Sequence, residues 1–256
     1  MDSQQQVVVV ILTLNEERHI RACLESVCWA DRCVVFDAYS TDATTDLAEQ
    51  AGAEIMQHRF ENFSKQRNAA LDAVQADWIL FLDADERATP ALADEVRTVI
   101  GDCEESGWWI PRHNYILGHR MRGAGWYPDY QMRLLRRGSA RYDPNRAVHE
   151  VVDLDGKAGY LTSPMLHYNY ETLRQFVAKQ RRYLAYDVSI LLESGAQPRR
   201  HTPYTQALRH FWWRFVILKG WKDIFWGLLL SLLMSYYELL KYERVRKIRR
   251  QAGNKA

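Results

Sequence analysis

The stretch WILFLDADERATP, Trp78 to Pro90, carries five apolar residues straight into Asp83, Asp85 and Glu86. On an extended backbone Asp83 and Asp85 project to one side and Ala84 to the other. Two carboxylates on one side of a strand end form a hard oxygen site. Mg²⁺ or Mn²⁺ takes such sites and completes its shell with water and substrate phosphate. Acids this close repel, so solvent, a cation or a bound substrate group must offset the charge. The plain alternative is a solvated turn that caps the next helix. Two more polar clusters follow apolar runs: Thr13-Leu14-Asn15-Glu16, and the segment from Asp37 to Asp42.

The elements that must position these clusters are legible from periodicity. Val7 to Leu12 is a continuous apolar run, the pattern of a strand buried on both faces. Asn15 is placed to cap a helix on which Ile20, Leu24 and Val27 recur. Cys33 to Phe36 is a second buried run, and the polar segment after it opens a helix that stops at Gly52. Glu54 to Gln57 reads as a short strand, Ser64 to Val74 as a helix and Trp78 to Leu82 as a strand. Thr89-Pro90 starts a helix that reaches about Ile100. Strands alternating with helices predict crossover connections and a parallel sheet. Ligands of such sheets bind beyond the carboxyl ends of the strands, where all three polar clusters fall, so they predict a nucleotide pocket. After Gly107 the rhythm changes. Trp108 to Leu117 and Tyr130 to Arg136 read as strands, joined by GHRMRGAGWYPDY, a loop suited to docking an acceptor.

The 256 residues suit one large α/β domain, or one domain with an appendage. With 47% hydrophobic and 26% charged residues the chain can bury a core, and a net charge of +2 argues against a nucleic-acid binder. Cys23, Cys28, Cys33 and Cys103 form no CxxC pair and read as buried free thiols of a reducing compartment. The N-terminal apolar run lacks a basic leader and reads as a core strand, not a signal peptide. Leu173 to Glu193 has a helical pattern, and Gly195, Pro198 and Pro203 then break the chain. The tail combines an aromatic, leucine-rich segment with the basic KYERVRKIRRQAGNK. Its 14 charge-free residues between Asp223 and Glu238 fall short of the ~20 needed to span a bilayer. Trp212, Trp213, Trp221 and Trp226, set beside Arg and Lys, predict contact with an anionic membrane surface. A homo-oligomer interface or a buried helical pair is the alternative.

Taken in order, ILTLNEE, VVFDAYSTDAT, FSKQRNAAL, LFLDADERATP, GWYPDYQMRLLRRG, AVHE and PMLHYNY resemble the family 2 inverting glycosyltransferases of GT-A fold. Among these, they are most similar to the small lipopolysaccharide core and capsule glucosyltransferases. The resemblance implies an α/β, Rossmann-like, mostly parallel central sheet flanked by helices. It places the catalytic domain over residues 1–170, with an amphipathic helical region over 171–256. It implies transfer from a UDP-hexose such as UDP-glucose to a lipid-linked or envelope glycan, assisted by Mg²⁺ or Mn²⁺, on the cytoplasmic face of the membrane. Thr13, Asn15, Glu16 and Asp37 would line the uridine end. Lys65, Arg67 and Asn68 would reach the nucleotide or its phosphates, unless Lys65 and Arg67 form a solvated face. Asp83 would approach the ribose or the metal, and Asp85 would hold the metal directly. Arg133 would touch phosphate or form a salt bridge, and His149 and His167 would meet the metal or the diphosphate. The catalytic base would be Glu150, with Asp129 as its rival. The family commonly has glycine where this chain has Tyr39. Two other readings fit the same letters: a haloacid dehalogenase-like phosphatase with Asp83 as nucleophile, and a catalytically silent membrane-surface scaffold.

Overall fold

The structure is a computed structural model and describes residues 5–101, 103–144 and 152–253. The chain divides into two compact units, Met1–Arg112 with Tyr130–His167, and His113–Asp129 with Tyr168–Ala256.

The first unit opens with alternating strands and helices: β1 (Val7–Thr13), α1 (Ile20–Ser26), β2 (Arg32–Asp37), α2 (Thr44–Gln50), β3 (Glu54–Gln57), α3 (Phe63–Ala73) and β4 (Trp78–Asp83). A short β5 (Glu86–Ala88) and α4 (Pro90–Val99) follow, then β6 (Glu105–Ile116), β7 (His119–Arg120), β8 (Tyr130–Arg136), β9 (Ala140–Tyr142), β10 (Val152–Leu154), β11 (Lys157–Tyr160) and β12 (Met165–Tyr170), of which β7 and the last residues of β6 and β12 belong to the second unit. The main sheet runs β3-β2-β1-β4-β8-β6-β12-β5. Its first four strands are parallel, and β8 pairs antiparallel to both β4 and β6. The chain steps outward from β1 to β3 and then returns to the other side of β1 as β4. The carboxyl ends beside that reversal form the crevice where open α/β sheets bind ligands.

Strand parity explains the layers. Val7, Val9 and Ile11 of β1 and Trp78, Leu80 and Leu82 of β4 pack in one core with Ile20 and Leu24 of α1 and Leu92 and Val96 of α4. Val8, Val10 and Leu12, with Ile79 and Phe81, pack in a second core with Ala70 and Leu71 of α3. Burial on both faces is what the unbroken apolar runs required. Thr89 caps α4, its hydroxyl accepting from the Leu92 amide at 3.2 Å, with Pro90 at the first helical position.

Three expectations are corrected. Asn15 does not cap α1: His19 holds that position without a side-chain bond. Asn15 instead adopts a positive φ of 57° and its carbonyl oxygen crosses to the Thr41 amide at 2.8 Å. The four cysteines are free, but only Cys23 is buried: Cys33 and Cys103 are half-buried and Cys28 is exposed. The apolar tail is also longer as a helix than its charge-free stretch implied. The second unit holds α5 (Leu173–Glu193), α6 (Thr202–Trp212), a π-helical turn (Trp213–Ile217), a 3₁₀ turn (Gly220–Asp223) and α7 (Ile224–Gly253). α7 lies in the one segment among the described residues that is long and apolar enough, by length and composition, to cross a membrane.

Candidate active site

The strand register brings the three polar clusters side by side. Thr13 is the partner of Asp37 across β1 and β2, and Leu12 is the partner of Asp83 across β1 and β4. Thr13 and Asp37 continue the same strand face, so the Thr13 hydroxyl donates to Asp37 Oδ1 at 2.9 Å. Asp37 is fully buried and its Oδ2 accepts from the Ser40 amide at 2.8 Å. The loops after β1 and β2 are then laced together. Asn15 donates its amide to Ser40 Oγ and Glu16 donates its amide to Thr44 Oγ1, both at 2.8 Å. Tyr39 has a φ of 62°, and its side chain is 56% exposed. The backbone thus keeps the left-handed turn that glycine adopts without strain.

Asp83 continues the face of Ile79 and Phe81, which is the face α3 covers. Arg67 lies on that helix one turn before Ala70 and Leu71, on its buried side, with its guanidinium 5.2 Å from the Phe81 ring centre. Asp83 Oδ1 accepts from Arg67 at 3.0 Å, and Asp83 Oδ2 accepts from Arg133 of β8 at 2.6 Å. Burial pushes the Asp83 carboxyl up, but Arg133 and Arg67 outweigh it and hold the group well below the usual carboxylate range. Glu86, fully buried, accepts from the Asp83 amide at 2.9 Å, from Arg112 at 3.0 Å and from Arg133 at 3.2 Å. Protein arginines therefore offset two of the three acids in the opening motif.

Asp85 belongs to a different group. The β5–β12 ladder pairs Glu86 with His167 and sets the His167 Nε2 3.4 Å from Asp85 Oδ2. Glu16, half-buried, faces the same charge. Burial first, then Asp85, Asp42 and Asp83, push its carboxyl from 4.5 up to about 7. Arg87 braces the turn by donating to the carbonyls of Ala84 and Glu86, both at 2.7 Å, and of His19 at 3.0 Å.

The remaining candidates are placed elsewhere. Lys65 is exposed and pairs with Glu61 one turn back. Asn68 clamps β9, donating to the Tyr142 carbonyl at 2.8 Å and accepting from its amide at 2.9 Å. Asp129 lies in the second unit and accepts from Asn114 at 2.8 Å. His149 and Glu150 fall outside the described residues.

The family model described as glycosyl transferase family 2 matches residues 8–142, which contain β1 to β9 and the acid turn. The chain belongs to this family. Over 196 residues, 74% of this chain and 73% of the relative, it is 30% identical to the lipopolysaccharide core biosynthesis glycosyltransferase LpsC of Rhizobium meliloti (strain 1021). Among solved structures, S. aureus TarS 1-349 matches 96% of this chain and 92% of its own length at 15% identity, with a TM-score of 0.49. A complex of glucosyl-3-phosphoglycerate synthase from Mycobacterium tuberculosis with Mn²⁺, UDP-glucose and phosphoglyceric acid matches 43% of this chain at 21% identity, with a TM-score of 0.38. The match spans 44% of that protein's chain. The α/β sheet with flanking helices and a long C-terminal helix is the GT-A architecture expected of the family 2 glycosyltransferases. Family membership also sets the phosphatase reading aside.

The sequence assigned no individual role to Glu86, Arg112, Ser40 or Thr44. Arg67 carried a usable signal: a charged residue three and four positions before Ala70 and Leu71 sits on the apolar side of its helix and needs an acid.

Two measurements test this site. Arg133→Met leaves Asp83 and Glu86 short of a buried counter-charge, so urea denaturation should show a loss of about 3–5 kcal/mol; a loss under about 1 kcal/mol would contradict the network. Glu16 has a folded pKa above its unfolded value, so it contributes stability below about pH 4.5 that is lost as pH rises through about 7. The Tm of Glu16→Gln should therefore gain on wild type as pH climbs through that window. Parallel Tm curves would contradict the shift.

Proposed function

We propose that the chain transfers a hexosyl group, with inversion, from a nucleotide sugar to a hydroxyl of a lipid-linked or cell-envelope glycan. The donor is read as a UDP-hexose such as UDP-glucose, and the work is read as taking place at the cytoplasmic face of an anionic membrane. One observation carries the reading. In a chain of family 2, the ends of β1, β2 and β4 bring Thr13, Asp37, Glu16, Asp83 and Asp85 to one rim at the reversal point of the sheet. The similarity to an enzyme of lipopolysaccharide core biosynthesis supports an envelope acceptor.

The donor set fits a divalent metal of the kind that shares its shell with substrate. Among the described residues no three His, Cys, Asp or Glu side chains converge to form a protein cage. Asp85 and His167 are adjacent, and Mg²⁺ or Mn²⁺ commonly uses one or two protein ligands, with phosphate oxygens and water for the rest. Asp85 with His167 would hold the ion, while Asp83, engaged on both oxygens by arginine, keeps the turn in place and faces the ribose side. When bound, the ion stabilises the charge on the departing diphosphate. Thr13 and Asp37 form the floor for the nucleoside, and Asn15 and Glu16 edge it.

Glu150 is read as the base. It takes the proton of the acceptor hydroxyl as that oxygen bonds to the anomeric carbon, opposite the bond to diphosphate that breaks. Asp129, in the acceptor loop, is the competing carboxylate.

A donor screen with UDP-glucose, UDP-galactose, UDP-N-acetylglucosamine and GDP-mannose, each with Mn²⁺, tests the class by release of nucleoside diphosphate. Wild type should turn over a UDP-hexose, and Asp85→Ala should lose at least about a hundredfold in metal-dependent rate, the usual scale for one electrostatic group. Unchanged Mn²⁺-stimulated turnover in Asp85→Ala would refute the metal role. Glu150→Gln should still bind UDP and lose transfer; if Asp129→Asn behaves that way instead, the base is Asp129.

A further inference from the structure

The second unit carries a cationic cleft, lined in part by the loop read above as the acceptor loop, whose cations the sugar-transfer reading gives no role. Arg120, Arg122, Tyr127, Trp221, Lys222 and Ile224 line about 730 Å³ of open space. The nearest acid is already committed. Asp223 is buried and accepts from the Arg122 amide on both carboxylate oxygens, at 2.9 and 3.0 Å, with His119 Nε2 at 3.3 Å. It fixes the loop that presents the cations. The side chains of Arg122 and Lys222 are exposed and make no ion pair among the described residues. The Arg120 guanidinium meets the His113 ring nitrogen at 2.8 Å.

The apolar residues around this cleft are also exposed. Ile224 is 81% exposed and begins a row on α7, Ile224, Leu228, Leu232 and Tyr236, all exposed at four-residue spacing. α6 exposes Tyr204, Leu208 and Trp212 at the same spacing. Arg246 and Arg250 lie about five full helical turns beyond Leu228 and Leu232, hence on the same side of α7. They line a second cleft, of about 270 Å³, with Arg199, Arg200 and Arg249. An apolar row with arginine-rich clefts towards both ends is complementary to a surface with anionic groups above and hydrocarbon below. The charge-free part of α7 extends only about 21 Å at 1.5 Å per residue, against a hydrocarbon core of about 30 Å. It suits a helix lying along a leaflet better than one crossing it.

We propose that this face docks on an anionic phospholipid surface, with a lipid phosphate seated among Arg120, Arg122 and Lys222 and the α7 row at the acyl boundary. The guanidinium forks match phosphate oxygens, and Tyr127 and Trp221 suit the headgroup level. Ile224 belongs to both the cleft and the apolar row, which favours a phosphate carried on a lipid over a free one. The inference rests on the membrane-surface part of the proposed function and gives it a site.

Cosedimentation of the full chain with phosphatidylcholine vesicles, with and without phosphatidylglycerol, tests it. Wild type should bind only the anionic vesicles and should be released by high salt, as an interfacial contact requires. Arg122→Gln with Lys222→Gln should bind about thirty-fold more weakly, two surface charges at their usual worth, and Leu232→Asp should also lose binding. An unchanged Tm in each variant shows that it has folded. If the double variant binds anionic vesicles as tightly as wild type, the membrane reading survives and this site falls. If wild type ignores both vesicle types, or shifts its Tm with inorganic phosphate while ignoring vesicles, the lipid assignment falls. Retention through high salt would also overturn it, in favour of a spanning helix. Donor turnover without vesicles reports on the sugar-transfer proposal separately.

Discussion

Asp83 sits at the end of a fully buried strand, where an unpaired carboxylate would cost several kcal/mol. Arg67 donates to Oδ1 and Arg133 to both oxygens, most closely to Oδ2, which offsets that cost, and the rest of the first unit is arranged around this contact. Arg67 comes from the buried side of α3, Arg133 from β8, and Glu86 ties the same cluster to Arg112 of β6. Asp83 and Glu86 together thus fasten α3 to strands β4, β8 and β6. The register of β4 against β1 and β8 is then fixed by charge as well as by apolar packing. A slip by one residue would carry Asp83 into the core shared with α4 and leave both arginines unpaired.

The same contact separates structural acids from available ones. Asp83 and Glu86 are bound by arginine, and the arginines hold the Asp83 carboxyl well below the usual carboxylate range. Glu16 lies in the field of Asp85, Asp42 and Asp83, and burial together with these acids pushes its carboxyl up to about 7. A group held by buried partners does not have to reorganise when a ligand arrives, and such preorganisation makes a site effective towards developing charge. The short β5–β12 ladder contributes His167 to the side of Asp85, so the opening motif and a histidine about eighty residues later form one patch.

The sheet was legible because its strands are buried on both faces. Unbroken runs such as Val7–Leu12 and Trp78–Leu82 have one reading, and the helix start at Thr89-Pro90 follows from capping chemistry. The polar strand ends were legible for the same reason. Partners were not. Two adjacent aspartates look alike in sequence, and only long-range geometry gives Asp83 to arginines from α3 and β8 and sets Asp85 against His167. Asn15 looked like a helix cap because Asn is a good one, yet its carbonyl oxygen found Thr41 on the next loop, a contact that local spacing cannot reveal. Asn68, read towards the nucleotide, holds Tyr142 with both its amide groups, a contact that local spacing does not reveal. The charge-free stretch marks only part of the tail helix, because α7 continues through its charged end.

The most direct measurement is a crystal structure with UDP and Mn²⁺ bound. The account predicts density for the ion against Asp85 and His167, completed by diphosphate oxygens and water, with Asp83 still clasped by Arg67 and Arg133. An ion bonded to Asp83 with the arginines displaced, or a nucleotide bound away from the ends of β1, β2 and β4, would contradict it.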